Sequence, residues 1–148
     1  MTLLRAFVSG LVALAALVSL TAACDRAAPD EPVPIVWDRE VCGHCRMAIG
    51  DPRFAAQLVT TSAEVVSFDD VGCMFRYLDE RKPEVHRLWF HGEGERWFGQ
   101  AAVGFRDGQT TPMGSGLMAV PAETPGALRL DDVRLRHHQE VVDDHHHR

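Results

Sequence analysis

Val65-Val66-Ser67-Phe68-Asp69-Asp70-Val71-Gly72-Cys73-Met74-Phe75-Arg76-Tyr77-Leu78-Asp79-Glu80-Arg81 is the stretch where the hydrophobic period changes. Val65 to Phe68 is a β-branched and aromatic run and reads as a strand. From there the apolar residues fall at Val71, Met74, Phe75 and Leu78, the spacing of one helix face. Asp69 or Asp70 can cap that helix, because a short carboxylate accepts the free N–H groups of a first turn. Pro83 ends it just past Arg81. Upstream, Arg53 to Thr60 is strand-like, with Phe54, Ala56 and Leu58 on one face. The polar break Thr61-Ser62-Ala63-Glu64 is short enough for a hairpin to Val65. Downstream, Val85 to His91 alternates as a third strand before the turn Gly92-Glu93-Gly94-Glu95. The expectation is α+β: a strand-strand-helix-strand unit, with a small antiparallel or mixed sheet and one main helix. Beyond it the pattern weakens. Trp97 to Phe105 reads as a strand or a short helix, Leu117 to Val120 as a strand ended by Pro121, and Asp131 to Val142 as a short helix.

The N-terminus reads as an address. Leu3 to Ala23 is nearly continuous apolar sequence with Arg5 as its only charge, a secretory layout. Ala22-Ala23 directly before Cys24 resembles a bacterial lipoprotein signal, which predicts lipidation at Cys24; Thr21 stands where such signals usually carry Leu. Simple secretion and an uncleaved anchor are the alternatives. All three deliver the chain to an extracytoplasmic space, the bacterial periplasmic side. The expected organisation is a signal over 1–23, a proline-rich tether over 24–34 with Pro29, Pro32 and Pro34, a folded domain over 35–126, and a short helix with a His-rich tail over 127–148. His137, His138 and His145 to His147 could gather a metal in that tail; a solvated terminus is the plainer reading. The formal charge is −6, or −7 once Arg5 is removed. Nucleic acid is excluded as a partner, since it needs a basic surface. Membrane attachment would come from the lipid at Cys24.

The chemistry concentrates in Cys42-Gly43-His44-Cys45-Arg46-Met47-Ala48-Ile49. Thiolate and thioether sulfur are soft donors, which favour Cu(I) and, for thiolate, zinc and iron–sulfur clusters. If the backbone is extended from Cys45, then Cys45, Met47 and Ile49 share one face. With Cys24 set aside, Cys42, Cys45 and Cys73 remain. An odd number cannot complete a disulfide framework. Cys73, at the helix start, reads as an inert buried thiol or as a further ligand. A Cys3His zinc site would need Cys42, Cys45, Cys73 and His44, but His44 sits inside the loop and can hardly reach the same ion. Thiol–disulfide exchange at Cys42 and Cys45 needs a helix N-terminus behind the attacking sulfur. The residues after Cys45 begin no amphipathic helix, and Asp51-Pro52 breaks the run.

Two further segments, Phe68-Asp69-Asp70-Val71-Gly72-Cys73 and Thr111-Pro112-Met113-Gly114-Ser115-Gly116, complete a pattern with Cys42-x-x-Cys45-x-Met47-x-Ile49 and Arg53-Phe54-Ala55-Ala56-Gln57. Together they resemble the NosL family, lipid-anchored copper-binding accessory proteins of nitrous oxide reductase maturation. The resemblance spans about Val41 to Val120. It implies a Cu(I) metallochaperone that is not an enzyme, with an α+β fold of two strand-strand-helix-strand units. It implies partners in a copper-accepting enzyme or membrane transporter complex of nitrous oxide reductase assembly. Residue by residue it implies metal ligation by Cys42, Cys45, Met47 and Met113, with Cys73 and His44 as lesser candidates. Arg46 departs from the family, which often has Gly there. The C-terminal half is short, so the second unit is expected truncated or rebuilt.

Overall fold

In a computed structural model, residues 27–92 and 94–146 are described; Cys24, the apolar segment before it and His147 lie outside the described residues. β1 (Ala56–Thr60) and β2 (Val65–Phe68) form the expected hairpin, with Ala56 opposite Phe68 and Val59 opposite Val65. Phe54 is not part of the strand. It sits in a single 3-10 turn, Pro52–Phe54, that Asp51 caps by accepting the Arg53 N–H, with proline at the first position. Helix α1 (Val71–Arg81) has the expected bounds. Its N-cap is Asp70, and Lys82 closes it in the left-handed conformation, its N–H bonded to the Leu78 carbonyl. β3 (Val85–Gly92) then pairs antiparallel with β1, Ala56 opposite Phe90. The strand-strand-helix-strand unit therefore stands as the sequence predicts.

The C-terminal half adds more strands than the sequence suggests. β4 (Arg96–Gly99) folds back on β3, and β5 (Val103–Arg106) follows after a turn, so the Trp97–Phe105 stretch is two strands. β6 (Met118–Pro121) lies antiparallel to β5 and touches β3 in parallel where Gly92 meets Ala119. β7 (Leu128–Arg129) closes the edge. The result is one seven-stranded mixed sheet, ordered β2-β1-β3-β6-β5-β7 with β4 paired to β3. Helix α2 (Leu130–His146) is longer than expected and reaches the histidines at 145 and 146. No strand follows it among the described residues, so the second half is rebuilt rather than a copy of the first. No helix of the described residues is long and apolar enough to cross a membrane.

The core sits between the helices and one sheet face. Leu58, Phe68, Phe90 and Phe105 point from the sheet, Met74, Phe75 and Leu78 from α1, and Val133 from α2. Phe90 and Phe105 meet edge to face with centroids 5.2 Å apart, which ties the two halves of the sheet together. The opposite face is covered too. The segment before Trp37 crosses it: Val33 donates to and accepts from the Gln57 amide at 2.7 and 3.1 Å, and Asp30 pairs with His86 and Arg87 at the start of β3. That strap explains why every residue of β1, including Gln57, is buried. Farther along the same face His91 stands between Trp37 and Trp97, its Nδ1 2.6 Å from the Pro52 carbonyl.

Candidate metal centre

Three chain segments converge at the N-terminal end of α1. The first is the hairpin carrying Cys42 and Cys45, closed by the bridge between Val41 and Ala48. Within it the Cys42 N–H donates to the Met47 carbonyl at 2.8 Å and the Arg46 N–H to the Cys42 carbonyl at 3.1 Å. Arg46 takes a φ of +67°, the left-handed region that glycine enters at little cost. The left-handed residue ends the alternation expected after Cys45. Ile49 is fully buried while Met47 is 57% exposed, so the two do not share a face. Gly43 is required by contact. Its N–H bonds the Ser67 carbonyl at 2.9 Å, and a Cβ there would run into the Val66 side chain.

The second segment is the first turn of α1. Asp69 and Asp70 act as a pair of clamps facing different ways, as adjacent residues must. The Asp69 carboxylate accepts the Gly50 N–H at 3.2 Å and so holds the end of the cysteine hairpin. Asp70, fully buried, accepts the Gly72 N–H at 2.7 Å with one oxygen and the Met113 N–H at 3.1 Å with the other. One carboxylate thus caps the helix and fastens the third segment, the loop Thr111–Gly116. That loop packs so close that a Cβ on Gly72 would come within 2.9 Å of the Ser115 Cβ.

The outcome is a cluster of the three free thiols: the Sγ atoms of Cys42, Cys45 and Cys73 all lie within 4.8 Å of one another. Cys42 and Cys73 are buried and Cys45 is half-buried, so solvent reaches the cluster on the Cys45 side. The thiols share protons unequally. A hydrogen bond from Cys73 holds the Cys42 thiol well below the ordinary range, against burial, with backbone groups of Asp69, His44 and Cys45 adding to the effect. The same bond, together with burial and the Cys42 charge, pushes Cys73 up. Burial also raises Cys45, opposed by the Met47 N–H directed at its sulfur. The positive end of α1 lies beside Cys42 and favours its thiolate in the same direction.

Of the residues singled out from the sequence, the structure brings Cys42, Cys45 and Cys73 together. Met113 is next to them, half-buried, lining a cavity of about 50 Å³ with Gly72, Cys73, Ser115, His137 and Glu140. Met47 faces solvent. His44 turns away, its Nδ1 3.6 Å from the Glu80 carboxylate. No imidazole or carboxylate of the described residues joins the thiol group. His137 falls within the helix expected over 131–142, but it is not the solvated residue that the sequence suggests. It is 7% exposed, edge-on to Phe75 at 5.6 Å, with its Nδ1 buried and unpaired. His138 points outward to Asp79 at 3.0 Å.

No family model and no curated protein matches this chain. Among solved structures it is similar to the copper chaperone NosL from Shewanella denitrificans, at 17% identity with a TM-score of 0.48, over 76% of this chain and 89% of that one.

Proposed function

We propose that this chain is a Cu(I) carrier held outside the cytoplasm by a lipid on Cys24, which delivers its copper by ligand exchange. The observation that carries the reading is the convergence of three free thiol sulfurs from two separate segments, with no imidazole or carboxylate of the described residues among them. Three soft donors suit Cu(I), which is stable at low coordination number, better than zinc, which takes four ligands in structural sites. Met113 beside Cys73 offers a neutral thioether as a further donor. The partly open Cys45 side leaves a direction from which a partner's sulfurs can attack. From the motif resemblance to NosL we take the recipient to be a copper-accepting enzyme or transporter complex, with nitrous oxide reductase assembly as the specific proposal.

The rival is thiol–disulfide exchange. In that chemistry a helix begins behind the attacking thiol. Here Cys45 is followed by a left-handed turn and a β-bridge, and the thiol in the helix's first turn, Cys73, is buried and pushed up by its bond to Cys42 and by burial. The test is a Cu(I) competition titration of the reduced protein against a chromophoric Cu(I) chelator. Tight one-to-one binding is expected, weakened by about tenfold or more, or about 1.4 kcal/mol, in Cys42→Ser, Cys45→Ser and Cys73→Ser. A protein that takes no copper from the chelator overturns the proposal, and reduction of a test disulfide by Cys42 and Cys45 then identifies the rival.

A further inference from the structure

The chain joins the fold at one end, and the thiols lie at the other. Asp30 sits at the start of β3, paired with His86 at 3.0 Å and with Arg87 at 2.9 Å. From there the strap runs alongside β3. Val33 is fastened to Gln57, which stands opposite Trp89, and Trp37 meets His91 near the end of the strand, with ring centroids 5.7 Å apart. The cysteine hairpin follows. Helix α1 has the same polarity. Its first turn carries Cys73 and the clamps of the thiol centre, and its last residue, Arg81, is joined to the start of β3 through Lys82, Pro83 and Glu84. At a rise of 1.5 Å per residue, the 11 residues of α1 set the two ends about 16 Å apart.

We infer that the surface around Lys82 and Val85 docks on the bilayer that holds the Cys24 lipid, so that the thiol centre points away from the membrane. This rests on the lipid anchor proposed above. The strap leaves only a short leash. Cys24 and Asp30 are six residues apart, so the chain between them reaches at most about 20 Å and spans about 13 Å on average. That average is shorter than the separation of about 16 Å along α1, and only a nearly stretched leash would let the thiols turn onto the lipid. Without the bonds at Asp30 and Val33 the leash would extend to the buried Ile35, with a reach of about 38 Å, and either end could face the surface. The docking end also has suitable chemistry. Arg81 and Lys82 are exposed and can meet lipid phosphates, while the carboxylate of Glu84 accepts the Thr61 hydroxyl at 3.0 Å. Val85 is 39% exposed and adds an apolar contact. A partner then reaches the half-buried Cys45 from the aqueous side without displacing lipid.

The experiment takes the full chain with its native lipid, reconstituted in vesicles of phosphatidylethanolamine and phosphatidylglycerol. A photo-crosslinking amino acid is placed singly at Lys82 or Val85, at the docking end, and at Ala48 or Pro112, at the thiol end. Irradiation should give lipid adducts at Lys82 and Val85 and near-background yields at Ala48 and Pro112. A flexible Gly-Ser insertion of about twelve residues after Asp25 raises the average leash span to about 23 Å without touching the strap. Adducts should then appear at both ends. Equal yields at both ends of the uninserted chain, or yields concentrated at Ala48 and Pro112, overturn the inference. So do crosslinks from Lys82 and Val85 to a second copy of the chain instead of to lipid. An insertion that leaves the bias intact overturns the leash as its cause. A chain whose mass shows no acyl group overturns the anchor and this inference together, whereas an acylated chain with the wrong adduct pattern overturns this inference alone. Cu(I) binding by the same chain is read separately, by the chelator titration.

Discussion

Asp70 fastens two parts of the centre with one side chain, and that makes its replacement quantitative. One carboxylate oxygen accepts the Gly72 N–H at 2.7 Å and the other the Met113 N–H at 3.1 Å, with the residue fully buried. Asp70→Asn keeps one acceptor oxygen and turns the other into an NH2 donor. Asparagine caps helices as well as aspartate does, so the Gly72 bond can survive. One buried N–H must then face a donor, whichever way the amide is turned. An orphaned buried donor costs about 1–3 kcal/mol. Taking about 2 kcal/mol, and about 4 °C per kcal/mol for a domain of this size, Asp70→Asn should lower the melting temperature by about 8 °C. Asp70→Ala also loses the cap, about 1 kcal/mol more, and should fall by about 12 °C. Thermal unfolding of the reduced, metal-free protein followed by circular dichroism reads this directly. Both variants should also bind Cu(I) more weakly, because the Met113 loop is no longer fastened over Cys73. If Asp70→Asn melted within about 2 °C of wild type, the carboxylate would not be the fastener and the assembly of the centre would need another cause.

The neighbouring Asp69 should behave oppositely. Burial raises its carboxyl above the ordinary 3.8, with the charges of Cys42, Asp70 and Asp51 adding and the Gly50 N–H opposing. The folded state therefore binds this proton more tightly than the unfolded state, and stability falls as pH rises from 3.8 through the raised value. Asp69→Asn keeps an oxygen for Gly50 and drops the charge, so it should melt at or above wild type at pH 7, with the difference closing in acid; melts at both ends of that range check it. For His137, burial and then the Arg76 charge hold the imidazole below the ordinary 6.5. The unfolded chain protonates first, so stability should be lost as pH falls from 6.5 through the lowered value, and His137→Leu should flatten that slope in urea unfolding series. Gly43→Ala should cost about 1–3 kcal/mol by driving a methyl into Val66, as overpacking does. Adding Val66→Ala should recover part of that loss in denaturant titrations.

The first unit was legible because local signals agreed there. The period-2 run to Phe68, the switch to helical spacing at Val71, the aspartate cap and Pro83 all describe the same folding pattern, and no distant contact overrode it. The second half was not legible for a definite reason. The inner stripe of α2 runs through Leu130, Val133 and His137, so one of its inward positions is a polar residue that a hydrophobic pattern cannot count. β7 is two residues long and exists only because β5 lies beside it. The strap over β1 was equally hidden, since a proline-rich segment carries no sign that the Gln57 amide will hold it.

The sequence by itself determined the soft-donor chemistry and the local turns: two cysteines spaced across a glycine, a cap pair, and a loop methionine between proline and glycine. Only the tertiary structure decided which sulfurs meet. Cys73 lies far from Cys42 and Cys45 along the chain and joins them because Asp69 and Asp70 clamp the hairpin and the loop onto one helix end. Met47, closest to those cysteines in sequence, is carried outward by one left-handed residue, since a single change of φ reverses the face on which the next side chain stands.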